Sequence, residues 1–165
     1  MNSKFESYFF EDDGYFPNHR FLPTLVYPNA IEHFHEVPDT LKENQWGNQW
    51  TGGIFDYHHY HSKTHEVLVV LEGAATVTLG GPHGNVLDIE KGDVLILPAG
   101  VSHKNQGSTD DFKVLGAYPF GEPFDLKTGD KHEYEQAIQE IPEAPFPSSD
   151  PLLGERGPLM ELWHK

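Results

Sequence analysis

The residues of this sequence best suited to do chemistry are His59, His61 and Glu66. Residues 54–57, just before them, are mostly aromatic or β-branched and predict a strand, in which alternation would point both histidines to one face. Residues 62–65 are polar and short enough to form a hairpin loop. The apolar run after Glu66 predicts a returning strand, which would place the Glu66 carboxylate beside the two imidazoles.

Two neutral imidazoles and a carboxylate form a ligand set for Fe(II), Mn(II), Ni(II), Co(II) or Zn(II). The chain has no cysteine, so its metal ligands must be nitrogen and oxygen atoms. A second stretch offers a fourth ligand, because the strand-like run 94–97 is followed by a Pro/Gly turn and then by His103. We therefore predict one divalent transition metal ion per chain, bound by His59, His61, Glu66 and His103.

Both stretches resemble the two motifs of the cupin superfamily. The first motif fits at each of its defined positions, which are Gly53, His59, His61, Glu66 and Gly73. The second fits at Gly92, Pro98, Gly100 and His103, and then departs from the family pattern, because Gly107 stands where the family has asparagine. Residues 9–14, 57–62 and 64–68 are similar to the uncharacterised YjlB-like group of small bacterial cupins.

The resemblance implies an all-β fold, a single-domain double-stranded β-helix (jelly-roll barrel), and a metal such as Fe, Mn, Ni or Zn. Turn signals at short intervals between residues 53 and 119 separately predict a β-sandwich or barrel. We expect one domain over residues 1–165. Within it, residues 1–50 would form an N-terminal arm and a short helix, 51–119 the barrel core, and 120–165 a segment that packs on the barrel and contains a further short helix.

Residues beside the ligands are expected to orient them by hydrogen bonds. Tyr57, His65 and Asn105 are the candidates for this role. His58 and Tyr60 face away from the ligand pair if the strand is regular, which favours packing over metal binding.

Two other sets of residues are weaker candidates for chemistry. His33 and His35 form a second histidine pair, but no glutamate and returning apolar strand follow them, so we expect surface histidines. Ser62, Thr64 and Ser102 lie near the ligands, but turns favour serine and threonine in any case. No Ser/His/Asp pattern accompanies them, so a hydroxyl nucleophile is disfavoured.

Charge and composition limit the partners. The formal net charge is −15, from 26 acidic and 11 basic residues, and such a surface repels nucleic acid and anionic membranes. The N-terminus has no apolar signal segment, which predicts a cytoplasmic protein. Residues 67–71 are apolar on both faces, so either the arm or a second subunit should cover the outer face, which favours a homodimer.

The favoured function is a metal-dependent enzyme acting on a small molecule. Three imidazoles and one carboxylate leave two positions on a six-coordinate metal, where dioxygen or a chelating substrate can bind. Dioxygenation fits such a site best among reactions seen in cupins, ahead of isomerisation and decarboxylation. The alternative is a non-catalytic module that binds a small ligand, as a sensor or carrier.

Overall fold

The computed structural model describes residues 4–165, which form two antiparallel sheets. The strands are β1 (Glu6–Tyr8), β2 (Thr24–Tyr27), β3 (Trp46–Gly52), β4 (Glu66–Glu72), β5 (Ala74–Leu79), β6 (Asn85–Glu90), β7 (Val94–Leu97), β8 (His103–Ser108) and β9 (Lys113–Pro119). The larger sheet has the order β1-β2-β7-β4-β9-β3, and the smaller has the order β6-β5-β8.

Short helices flank the sheets. They are α1 (Val37–Glu43), α2 (Lys131–Glu140) and α3 (Pro158–Leu162), with 3₁₀ turns at Phe34–Glu36 and Ile141–Glu143. The predicted helices of the arm and of the C-terminal segment correspond to α1 and α2. Within the described part of the chain, no helix has both the length and the apolar character needed to cross a bilayer.

The barrel interior lies between the two sheets. Leu68 and Val70 of β4 point inward and pack in one buried cluster with Val77 of β5 and Ile89 of β6. Such two-sheet packing buries the alternate residues of each strand. The all-β barrel predicted from the sequence is therefore present.

The outer face of β4 is covered by other parts of the same chain. Val67 and Val69 pack in a second buried cluster with Leu25 of β2, Trp46 of β3 and Trp163 near the C-terminus. The apolar face that favoured a homodimer is thus already covered, and the homodimer stays a prediction.

The strand predicted at residues 54–57 is wrong. The strand at this point of the chain is β3, which ends at Gly52 and pairs with β9. Both edges of β4 are taken by β7 and β9, so no hairpin partner can pair with it. Phe55 and Tyr57 misled the prediction because aromatic residues favour strands only where they pack on a half-buried sheet, and here 51% and 39% of their surface is exposed.

The N-terminal arm contributes more to the sheet than the single strand predicted for it. β1 pairs with β2, and β2 pairs with β7, so the arm extends the larger sheet by two strands. Leu25 of β2 lies opposite Ile96 of β7. Residues 1–3 of the arm lie outside the described residues.

Candidate metal centre

The site lies between the two sheets and takes residues from both. His103 opens β8 of the smaller sheet, and its backbone exchanges two hydrogen bonds with His59, of 3.2 and 2.9 Å. Glu66 opens β4 of the larger sheet, opposite Leu97. The pair His59 and His61 therefore reaches the site through an isolated bridge to β8 and not through the predicted hairpin with β4.

The three histidines converge. One ring nitrogen from each of His59, His61 and His103 lies within 4.8 Å of the other two, and all three residues are buried. Glu66 is adjacent, because its Oε1 lies 3.5 Å from Nε2 of His61 and 3.4 Å from Nε2 of His103. The three histidines could hold a metal ion, and Glu66 is placed beside them.

Backbone carbonyl groups fix the tautomer of each imidazole. Nδ1 of His59 lies 2.9 Å from the Tyr57 oxygen, Nδ1 of His103 lies 3.2 Å from the Val101 oxygen, and Nδ1 of His61 bonds the Asp125 oxygen. A carbonyl oxygen only accepts, so Nδ1 carries the hydrogen in the neutral ring. Nε2 then keeps its lone pair, which is the form that ligates a metal.

Glu66 is a buried carboxylate whose charge is only partly compensated by its neighbours. It is 2% exposed, its Oε2 accepts a 2.7 Å hydrogen bond from the Tyr118 hydroxyl, and its Oε1 has no hydrogen-bond partner within residues 4–165. Burial alone would raise its pKa, but the proximity of the His61 and His103 imidazoles outweighs burial and lowers it. A buried carboxylate oxygen without a partner is costly unless a cation compensates it, so the donor set fits a metal ion.

Burial and the local charges also shift the histidines. Burial lowers the pKa of His59 to about 3, with a smaller contribution from His103, so this ring is neutral and ready to ligate at pH 7. For His61, burial lowers the pKa, but the Glu66 carboxylate and the Asp125 carbonyl more than offset that effect and raise it.

Sequence comparisons agree with this architecture. The family described as "Cupin domain" matches residues 49–117. The protein YjlB of Bacillus subtilis (strain 168), described as uncharacterized, is 44% identical over 165 residues, which is 100% of both chains. The chain belongs to the cupins, in the YjlB-like group.

Two solved structures resemble part of this cupin. A DUF861 family protein from Thermotoga maritima is 27% identical, with a TM-score of 0.35 over 48% of this chain and 88% of its own. Acireductone dioxygenase from Bacillus anthracis, with a cadmium ion in its active center, is 18% identical, with a TM-score of 0.38 over 53% of this chain and 58% of its own.

The residues expected to orient the ligands of this cupin lie elsewhere or act differently. Tyr57 contributes its backbone carbonyl to His59, while its ring packs against the His59 ring with centroids 5.7 Å apart. Asn105 hydrogen-bonds Ser108 and the amide of Gly107 within β8, where the pairing with β5 shifts register. His65 points away from the site. Its Nδ1 accepts a hydrogen bond from the Ala99 amide.

Sequence reasoning missed the side chains that hold Glu66. The indole of Trp50 donates a 2.7 Å hydrogen bond to the hydroxyl of Tyr118, which in turn donates to Glu66. Burial, followed by the Glu66 charge, raises the pKa of Tyr118, so the phenol keeps its proton. This chain of bonds crosses from β3 to β9 to β4.

A second missed feature is the set of hydrogen bonds around Asp125, whose backbone carbonyl accepts a hydrogen bond from His61. The Asp125 carboxylate accepts bonds from the Ser62 amide and from Lys127 Nζ, at 3.0 and 2.8 Å. Lys127 also donates to Glu140 and to the Ser62 hydroxyl. Burial lowers the pKa of Lys127, but its two carboxylate partners raise it overall, so the lysine stays charged and cannot act as a base toward Ser62.

The variant Tyr118→Phe should weaken metal binding without removing a ligand. It leaves Glu66 Oε2 without its hydrogen bond, and losing a partner that orients a ligand typically costs about 10–100-fold in metal affinity. Competition titration of Mn(II) or Zn(II) against a chelating dye measures the change. The matched control is Tyr15→Phe, because Tyr15 is 50% exposed. Equal affinity in the two variants would contradict an orienting role for Tyr118.

Proposed function

We propose that this cupin binds one divalent transition metal ion through His59, His61, Glu66 and His103 and acts as a metal-dependent enzyme on a small molecule. The supporting observation is that one ring nitrogen from each of the three histidines lies within 4.8 Å of the other two. Nε2 of His61 and Nε2 of His103 also lie 3.5 and 3.4 Å from Oε1 of Glu66, which has no hydrogen-bond partner within residues 4–165. Fe, Mn, Ni and Zn all suit nitrogen and oxygen ligands. Dioxygenase-like oxidation is favoured, with isomerisation and decarboxylation behind it.

The metal would supply Lewis acidity and positions for dioxygen or a chelating substrate. The residues of the chain supply the rest. Tyr118 and the Asp125 carbonyl hold two of the ligands in place, at Glu66 and His61. The Tyr118 hydroxyl, with its raised pKa, keeps its proton directed at Glu66 and not at a bound substrate.

Aromatic rings at the edge of the site favour a flat, weakly charged substrate. Phe55 and Tyr57 stack with centroids 5.0 Å apart beside His59, and Phe124 lies 5.3 Å from the His61 ring. These three side chains are 39–51% exposed. Half-exposed rings can pack against an aromatic or conjugated molecule, since stacked rings gain about 0.5–1.5 kcal/mol beyond area burial.

The cationic residues of the chain give little support for an anionic substrate at this centre. Arginine is the usual bidentate partner of carboxylate and phosphate, and this sequence has only Arg20 and Arg156. Both are exposed and neither contacts the ligands. A neutral, metal-chelating molecule with adjacent oxygen atoms fits these observations better.

Oxygen uptake after anaerobic reconstitution tests the proposal. The protein is loaded with Fe(II) and mixed with a panel of diketones, flavonols, catechols and thiols. We expect uptake above that of free Fe(II) with at least one member, and none above background in the His61→Ala variant. Parallel assays with Mn, Ni and Zn cover isomerisation and decarboxylation by product analysis.

Two results would contradict catalysis. One is the absence of turnover with all four metals, and the other is equal turnover in the His61→Ala variant. Tight binding of a panel member without turnover would instead assign this cupin to the non-catalytic class of sensors and carriers.

A further inference from the structure

A cavity of about 620 Å³ lies outside the barrel, between the N-terminal arm and the C-terminal segment. This volume falls within the range of about 300–1,000 Å³ that is usual for small-molecule pockets. Its walls are largely apolar and include Leu22, Ile138, Ile141, Pro142, Ala144 and Phe146. None of the four proposed metal ligands lines it.

Two histidines in the cavity wall, His19 and His65, carry their ring hydrogen on Nε2. The three histidines of the candidate metal centre carry it on Nδ1. Nδ1 of His65 accepts a 2.8 Å bond from the Ala99 amide, and Nδ1 of His19 accepts from the amides of Phe21 and Leu22, at 3.1 and 3.0 Å. An amide nitrogen only donates, so Nδ1 must be the bare atom in each ring. Both rings therefore carry Nε2–H.

Both Nε2–H groups are available to a ligand. The rings of His19 and His65 line the cavity with centroids 6.2 Å apart, and neither Nε2 has a hydrogen-bond partner within residues 4–165. His65 is 2% exposed, so its only route to a partner is through the cavity. Polar groups that line an apolar pocket without a protein partner are placed to hydrogen-bond an acceptor on a ligand.

Positive charge is available to a ligand on one side of the cavity. The guanidinium of Arg20 lies over the Phe21 ring at 5.6 Å and forms no ion pair with a described residue. Lys165 also lines the cavity. The Asp12 carboxylate in the same wall accepts bonds from the Gly14 amide and the Tyr134 hydroxyl, which hold it in place but leave its charge. A negative group would therefore be placed toward Arg20 and away from Asp12.

We propose that this cavity is a binding site for a small organic acid, whose carboxylate accepts hydrogen bonds from Nε2–H of His19 and His65 and whose apolar body packs on the surrounding side chains. The two imidazoles act as uncharged donors, in keeping with the pKa of His19, which burial lowers to about 4. Arg20 adds charge at the rim. The site is separate from the metal centre and does not depend on its function.

Titration of ¹⁵N-labelled protein followed by amide shifts tests the proposal. The probes are 3-phenylpropanoate, octanoate and indole-3-acetate, with 3-phenylpropylamine as the matched compound that has no acceptor. We expect saturable shifts of the Phe21, Leu22 and Ala99 amides with at least one acid, and none with the amine. The same binding should persist in the His61→Ala variant, because that residue belongs to the metal centre.

Three variants locate the bound acid. His19→Asn keeps an acceptor near the Nδ1 position but removes the Nε2–H donor, and should weaken binding about tenfold or more, as is usual for a hydrogen bond to a charged group. Ile138→Trp should fill the cavity and abolish binding. Gln139→Trp is the control, since Gln139 is exposed on the same helix and does not line the cavity.

Several outcomes would overturn the proposal. It is wrong if no acid saturates the shifts at concentrations up to about 10 mM, because a complex with a millimolar dissociation constant would be nearly saturated there. It is also wrong if binding is lost in His61→Ala but kept in Ile138→Trp, because the acid then sits at the metal centre. A self-associating chain that becomes monomeric in Ile138→Trp and binds no acid would show a contact between copies instead.

Discussion

The variant His61→Ala is expected to lose most of its bound metal while the barrel still folds. His61 offers Nε2 beside Glu66, and the change removes that donor and leaves an unfilled coordination position. Removing a residue that only hydrogen-bonds a metal ligand typically lowers metal affinity about 10–100-fold. Removing a ligand itself should therefore lower the affinity at least about 100-fold. Elemental analysis of protein purified without a histidine tag measures the metal, and far-UV circular dichroism checks the fold.

His33→Ala is the matched control for that experiment. His33 also belongs to a histidine pair, with the His35 ring 6.2 Å away, but it is exposed and forms no ion pair with a described glutamate. The control should keep its full metal content. If His61→Ala also keeps it in a folded protein, the metal site described for this cupin is wrong.

The sequence predicted which side chains lie close together better than it predicted the path of the chain that brings them together. The strands β4 and β7 were predictable because they are continuous apolar runs bounded by turn residues. The stretch before His59 has the same local composition, but its aromatic rings lie at the edge of the site and not in a sheet. Whether an aromatic residue packs inward or stays half-exposed depends on tertiary neighbours, which local propensity does not contain.

The groups that hydrogen-bond the proposed ligands could not be predicted for a different reason. Tyr118 is 52 residues from Glu66, and Asp125 is 64 residues from His61. Neither has a spacing motif that links it to its partner, and the bond from Asp125 comes from a backbone carbonyl, which every residue carries. Asn105 seemed suitable by side-chain type, but its side chain accepts a bond from the Gly107 amide within β8, where the pairing with β5 shifts register.

The C-terminal segment depends on one buried carboxylate, and the variant Asp150→Ala is expected to be strongly destabilised. Asp150 is 0% exposed. Its Oδ2 lies 2.5 Å from the Tyr27 hydroxyl and 3.2 Å from the Leu159 amide, and its Oδ1 accepts from the amides of Leu152 and Leu153. Because Gly157 at the start of α3 has no side chain to cap the helix, Asp150 supplies that acceptor from a distance.

Alanine at position 150 would leave the Tyr27 hydroxyl and the amides of Leu152 and Leu153 without acceptors inside the protein, and would leave the Leu159 amide with only the Tyr27 oxygen. Each buried donor left unsatisfied costs about 1–3 kcal/mol, so we expect a loss of about 3–5 kcal/mol in total. For a chain of this size that corresponds to a fall in melting temperature of roughly 10 °C. Differential scanning calorimetry measures the fall, and Asp110→Ala is the control, since Asp110 is an exposed residue in a turn.

The Asp150→Asn variant separates the loss of acceptors from the loss of packing. Asparagine keeps the size of the side chain and one acceptor oxygen, so it should lie between the wild type and Asp150→Ala in melting temperature. Gly157→Ala gives an independent check, because a Cβ there would approach Asp150 Oδ2 to 2.1 Å and push the carboxylate aside. Melting temperatures within about 2 °C of wild type for both Asp150→Ala and Gly157→Ala would show that this carboxylate does not anchor the segment.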